Sequence, residues 1–180
     1  MKRNVTLTIS TLLLIALASC GDAKNKEINK ISKQEELETN KASTPVIVEA
    51  SFSDEMIGKV FNVYQQIRIA LVNSNAEEVN LAAGNLVQSL TVERNEMKSL
   101  GMAMAESNDI EEQRKLFSQL TTEVESLFKE SISDGEIYKQ YCPMAFEGKG
   151  GYWISNVEEI RNPYYGDKML KCGKVTEIIN

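Results

Sequence analysis

The 180-residue chain has no histidine, one tryptophan, three cysteines and three prolines, and the first of these absences excludes the most. Without an imidazole there is no Ser-His or Cys-His nucleophile, no histidine general base and no His-ligated zinc or haem. A cationic surplus is missing as well: 20 Lys and Arg stand against 26 Asp and Glu, a net charge of −6. Nucleic-acid binding needs clustered positive charge to neutralise phosphates, so no nucleic-acid partner is expected. What is present, 42% hydrophobic and 26% charged residues, is ordinary for one globular domain with accessory segments.

Lys2 and Arg3 precede an apolar stretch from Val5 to Ala18, which ends at Leu17-Ala18-Ser19-Cys20. This stretch is shorter than the roughly 20 apolar residues that span a bilayer, and it reads as a lipoprotein signal peptide over 1–19. Small Ala18 and Ser19 suit a peptidase pocket, and the thiol of Cys20 can take a lipid, so these four residues resemble a bacterial lipobox. Cleavage would remove Lys2 and Arg3 and leave the chain more acidic than −6. Several acyl chains, at about 0.8 kcal/mol per buried CH₂, would hold it firmly to a membrane of the cell envelope, facing the periplasm or the exterior. Residues 20–51 alternate in charge and lack aromatics until Phe52. They read as a flexible tether, in which Ile28, Ile31 and Leu37 allow at most a transient helix.

The pattern changes at residue 52, where the domain is expected to begin and run to 180. After Ser53-Asp54-Glu55, a plausible N-cap, Ile57, Val60, Phe61, Tyr64, Ile67 and Leu71 recur at three- and four-residue steps and predict an amphipathic helix. Ser74 and Glu77 offer a capping box for a second helix, with a stripe from Val79 through Leu86 and Leu90 to Met97, Leu100 and Met104. Asn108 and Glu111 open a third, whose apolar face carries Ile110, Phe117, Leu120, Val124, Leu127 and Phe128. Short connections make consecutive helices antiparallel neighbours, so the reading is mainly α, an up-down bundle. At helical spacing, Met97, Met102 and Met104 read as core rather than as a metal track.

Composition shifts again over 134–180, where Asp134-Gly135 ends helical periodicity. Ile137, Tyr138, Tyr141 and Tyr152, Trp153, Ile154 flank Gly148, Gly150 and Gly151, which suits short strands or an ordered loop packed on the bundle. Asn162-Pro163 and Tyr165-Gly166 are further turn signals, and a terminal helix is expected from about Asp167 to Ile178, interrupted at Gly173. Trp153, Tyr164 and Tyr165 are expected to cover the bundle, and Glu158, Glu159, Arg161 and Asp167 to form a charge network around the turn. No carboxylate pair faces a nucleophile, and the glycines do not link a strand to a helix as a phosphate cradle requires, so the chain does not read as an enzyme or a nucleotide binder.

Two sulfur pairs bracket this tail in mirrored order: Cys142-Pro143-Met144 at its start and Met169-Leu170-Lys171-Cys172 near its end. Thiolate and thioether are soft donors that favour Cu(I), and a thioether keeps its ligand capacity at any envelope pH. Two cysteines in an exported protein also form a disulfide, and closing a loop of about 30 residues contributes about 3 to 4 kcal/mol. The residues alone favour the disulfide; both readings stay open. Redox cycling of the pair has less support, because no CxxC motif or helix N-terminus lowers a thiol pKa.

The motifs YCPMAF, KGGYW, EIRNPYYGDKM and LKCGKV together resemble the bacterial family called domain of unknown function 3347. The resemblance covers roughly Ser53 to Ile179; its specific part is Tyr141 to Val175, and the helical half matches in general pattern only. The family occurs in envelope lipoproteins and as an extra domain on periplasmic adaptors similar to those of copper and silver efflux pumps, which implies copper handling. By that resemblance Cys142, Met144, Met169 and Cys172 are the expected metal ligands. Many relatives have histidine before the first cysteine; Tyr141 stands here, which leaves an all-sulfur site consistent with Cu(I). The expectation is a lipid-anchored module that binds or delivers Cu(I), with a metal efflux system or a cuproprotein as its partner. The alternative is a structural or partner-binding domain of an envelope complex, with a Cys142–Cys172 disulfide and no metal.

Overall fold

The computed structural model describes residues 50–180 apart from Val92, so the expected signal peptide, Cys20 and nearly all of the tether lie outside the described residues. Ser51, expected in the tether, is instead the first residue of β1 (Ser51–Phe52). The Asp54 carboxylate then accepts the N–H groups of Met56 and Ile57 and opens α1 (Glu55–Val72). Every stripe residue named above for this helix is buried. Ser74 does not cap α2 (Ala76–Ser89): it has a left-handed φ of 54°, and Asn75 accepts the Glu78 N–H instead.

The second expected helix is two helices. The chain leaves α2 at Leu90, whose backbone is extended, and returns as α3 (Asn95–Glu106) packed along α2. An unbroken helix to Met104 would reach about 43 Å at 1.5 Å per residue, far beyond the roughly 27 Å of α1, and the Met97–Met104 stripe would have nothing to pack on. Folding back buries Met97, Leu100 and Met104, while Met102 stays exposed. Gly101 permits the close approach, since a Cβ there would stand 2.9 Å from Val87 Cγ2. Asp109 caps α4 (Ile110–Ser131) by accepting the Glu111 N–H. The Gln113 amide Nε2 donates to the carbonyls of Ala76, Met104 and Ser107, satisfying helix-end acceptors that would otherwise be orphaned. Each helix packs on the next and α4 closes on α1, giving a four-helix up-down bundle where three helices were expected. Among the described residues no helix is long and apolar enough to cross a membrane.

Past α4, β2 (Ile132–Asp134) pairs antiparallel with β1. The tail then forms a three-stranded antiparallel sheet in the order β4-β3-β5, from β3 (Ile137–Cys142), β4 (Gly151–Ser155) and β5 (Lys174–Ile179). β5 replaces most of the expected terminal helix. Four of its six residues, Val175, Thr176, Ile178 and Ile179, are β-branched and fit a pleated surface better than a helix. Only Gly166–Lys168 is helical there, as one 3₁₀ turn.

The sheet is fastened to the bundle by Tyr64. Its hydroxyl accepts the Ile154 N–H at 3.1 Å and contacts Thr121 Oγ1 at 2.8 Å, and Thr121 in turn donates to the Phe117 carbonyl. Aromatic contacts continue the seam, Tyr64 stacking on Phe117, Phe117 meeting Tyr164, and Tyr164 meeting Trp153 edge-on. Trp153 and Tyr164 are buried as expected, and Tyr165 is half-buried. The expected charge network is not formed, for Glu159 pairs outside it with Lys171. Glu158, Arg161 and Asp167 make no ion pair among the described residues.

Candidate metal centre

The register of the sheet determines where the first cysteine goes. Side chains alternate across β3, so Gln140 and Cys142 share one face, opposite Trp153 and Gly151 of β4. Cys142 is fully buried there. The segment after β4 crosses the same end of the sheet, and its course is set by Asn162. The Asn162 N–H donates to the Leu170 carbonyl, its amide Nδ2 to the Cys172 carbonyl at 2.9 Å, and its Oδ1 accepts the Tyr164 N–H. Gly166 anchors the far end of the loop with φ +56°; a Cβ at this position would lie 2.8 Å from the Val72 carbonyl at the end of α1. The loop thus returns Cys172 to Cys142, and the two free thiols stand with Sγ atoms 3.3 Å apart.

The methionines reach this point by their backbones. The Met169 carbonyl accepts the Cys172 N–H at 3.0 Å, and the Met144 carbonyl accepts the Tyr165 hydroxyl at 2.7 Å. Met144 is 50% exposed and Met169 is half-buried, whereas Cys142 has no exposure. The structure therefore joins the two thiols directly and brings Met144 and Met169 into the same pair of turns. The Cys172 thiol pKa is raised, first by its hydrogen bond with Cys142, then by burial and by the charge of that neighbour; the Met144 N–H opposes the shift. A pair that shares its proton in this way is a poor nucleophile near neutrality, and a metal must displace a proton to bind.

Among the described residues no three Cys, Asp or Glu side chains gather into a metal cage, so any third or fourth donor at the thiol pair must come from elsewhere, and the thioethers of Met144 and Met169 are the nearest in sequence. The donor chemistry fits a soft monovalent ion and does not fit zinc or calcium. Asn162 and Tyr165 shape the centre but were not singled out by the sequence reading, where Asn162-Pro163 is only a turn signal. A buried Asx residue that bonds its own backbone two residues on is the physical content of that signal.

A family model for a protein of unknown function (DUF3347) matches residues 60–135. Over that span the chain belongs to the DUF3347 family. The span runs from the second turn of α1 through β2 and ends before Tyr141. Family membership therefore rests on the bundle, which the sequence reading credits with general pattern only, and the motifs from Tyr141 to Val175 lie beyond the DUF3347 match. No curated protein and no solved structure matches the chain.

Proposed function

We propose that the protein binds one Cu(I) at Cys142 and Cys172 in their reduced form, with Met144 and Met169 as further sulfur donors, and that it serves to hold or deliver that ion in the cell envelope. The observation that carries this reading is the 3.3 Å contact between two free thiols, one buried and one at the surface. At a metal–sulfur distance of about 2.3 Å, two linear donors lie about 4.6 Å apart and two tetrahedral donors about 3.8 Å. The observed separation is nearer the tetrahedral value, which favours recruitment of thioethers over a bare dithiolate. The ion would supply the affinity; the chain supplies soft donors, a buried wall and a half-exposed entrance through which the ion can pass to a partner.

Competition against a Cu(I) chelator tests the assignment. The reduced wild type should retain one ion, Met144→Leu with Met169→Leu should lose about tenfold or more in affinity, and Cys172→Ser should lose the site. Equal and weak retention by wild type and the double Leu variant would overturn it. The same contact supports a second reading, a Cys142–Cys172 disulfide that staples the tail, because 3.3 Å closes to a bond of about 2.05 Å with little movement. The native mass of the protein isolated from the envelope, with and without thiol reductant, distinguishes the two. A loss of two hydrogens reversed by reductant marks the disulfide.

A further inference from the structure

Two arginines are buried where the bundle meets the tail, and they are compensated unequally. Arg114 on α4 pairs with Glu111 at 2.6 Å, and its other donors reach the Pro163 carbonyl and Ser74 Oγ. Arg68 on α1 is 3% exposed and has only neutral partners: Nε donates to Gln65 Oε1 at 2.7 Å and Nη2 to Asn156 Oδ1 at 3.2 Å. Gln65 is itself held in place, since its Nε2 donates to the Ile154 carbonyl. Among the described residues no carboxylate pairs with Arg68. Its Nη1 makes no hydrogen bond with those residues and is not enclosed by them, so this end of the fork faces solvent.

A buried guanidinium without a counter-charge costs several kcal/mol unless something supplies the missing charge. Burial pulls the Arg68 pKa down to about 10; Tyr64 opposes the shift and the positive charge of Arg161 adds to it. Two arginines thus act on each other in a chain whose net charge is −6. Asn156 presents its Oδ1 to Arg68, which leaves its Nδ2 as a further donor at the same mouth. Every group offered there is a donor, and a guanidinium fork matches the planar, paired oxygens of an oxyanion.

We infer that Arg68, Asn156 and Arg161 form an oxyanion site at the junction of α1 and the bend after β4, which takes a carboxylate or a phosphate group. The site is separate from the cysteine pair and does not depend on metal. Titration of the full-length chain with acetate, and separately with inorganic phosphate, at ionic strength held constant with chloride, tests it through the Arg68 Nε–H resonance and the melting temperature. A saturable shift of that resonance, with a matching rise in melting temperature, is expected for at least one of the two probes, and the tighter one identifies the ligand class. Arg161→Gln, an exposed and fold-neutral change, should weaken binding about fivefold, and Arg68→Lys should abolish the saturable response while keeping the charge. A response that merely tracks ionic strength, or one identical in Arg161→Gln and wild type, would overturn the site and leave Arg68 as a structural link between bundle and sheet.

Discussion

The helical bundle and the C-terminal sheet share one aromatic seam but are specified in different ways. In the bundle, Ile57, Ile67, Leu86, Leu120 and Val124 lie on stripes of helical period, and all are buried; the contacts are non-directional and tolerate small changes of register. In the tail, position is fixed by single polar contacts such as those of Asn162, Tyr64 and Gln65, each of which needs its own partner. The bundle is therefore a platform of distributed stability, and the tail is a precise attachment that sets two thiols side by side. Chemistry that demands geometry belongs on the second kind of structure, supported by the first.

The comparison is broken most severely in the core. Truncating Leu86, Leu120 or Ile67 to Ala should each cost about 2 to 5 kcal/mol, whereas Met102→Ala, on the exposed face of α3, should cost about 0.5 kcal/mol or less. Chemical denaturation settles it, and similar midpoints for Leu86→Ala and Met102→Ala would contradict the bundle. Gly166→Ala attacks the anchor of the loop instead. The left-handed φ of +56° costs about 1 to 2 kcal/mol for a residue with a Cβ, and contact with the Val72 carbonyl adds to it. This variant should also separate the thiols, so faster alkylation of Cys142 in Gly166→Ala than in Leu86→Ala, compared at equal folded fraction, is the measurement that distinguishes attachment from platform.

Tyr64→Phe sharpens the boundary between the two regions. It removes the hydroxyl that accepts the Ile154 N–H and leaves that donor buried and unpaired, at a cost of about 1 to 3 kcal/mol. Hydrogen exchange should quicken at Ile154 and its neighbours in β4 and remain slow in the middle of α2. Uniform quickening in both regions would mean that sheet and bundle open as a single unit.

The bundle was legible in the sequence because burial leaves a periodic trace: Ile57 to Leu71 and Ile110 to Phe128 give α1 and α4 to within a residue or two. The break between α2 and α3 was not, since the stripe keeps its period across Leu90 to Met97 and only the finite length of α1 forbids a continuous helix. The terminal strand was missed for a related reason. Charged residues at 167, 168, 171, 174 and 177 resemble a solvated helix face, while pairing with β3, a long-range contact, decides the outcome. The sulfur pairs were visible as a mirrored order, but their approach depends on Asn162 and Gly166, whose roles are tertiary.

The smallest effect expected lies on the surface that joins α4 to the sheet. Glu125 meets Lys129 at 2.7 Å and Lys139 at 2.6 Å, and Lys129 reaches Glu177 on β5 at 2.8 Å. Burial pushes the Glu125 pKa up, but the hydrogen bonds and charges of Lys129 and Lys139 together outweigh it and hold the carboxyl below its ordinary 4.5. A group whose pKa is lower folded than unfolded contributes stability that is fully present above the unfolded value and is lost as the pH falls through the folded one. Wild type should therefore lose about 0.5 to 1 kcal/mol relative to Glu125→Gln on acidification from pH 6 to below pH 4, and the two curves should run parallel above pH 6. High salt should shrink the difference. A gap between the variants that does not change with pH would assign the role of Glu125 to packing, and would leave the polar seam around Tyr64 as the attachment of the sheet to the bundle.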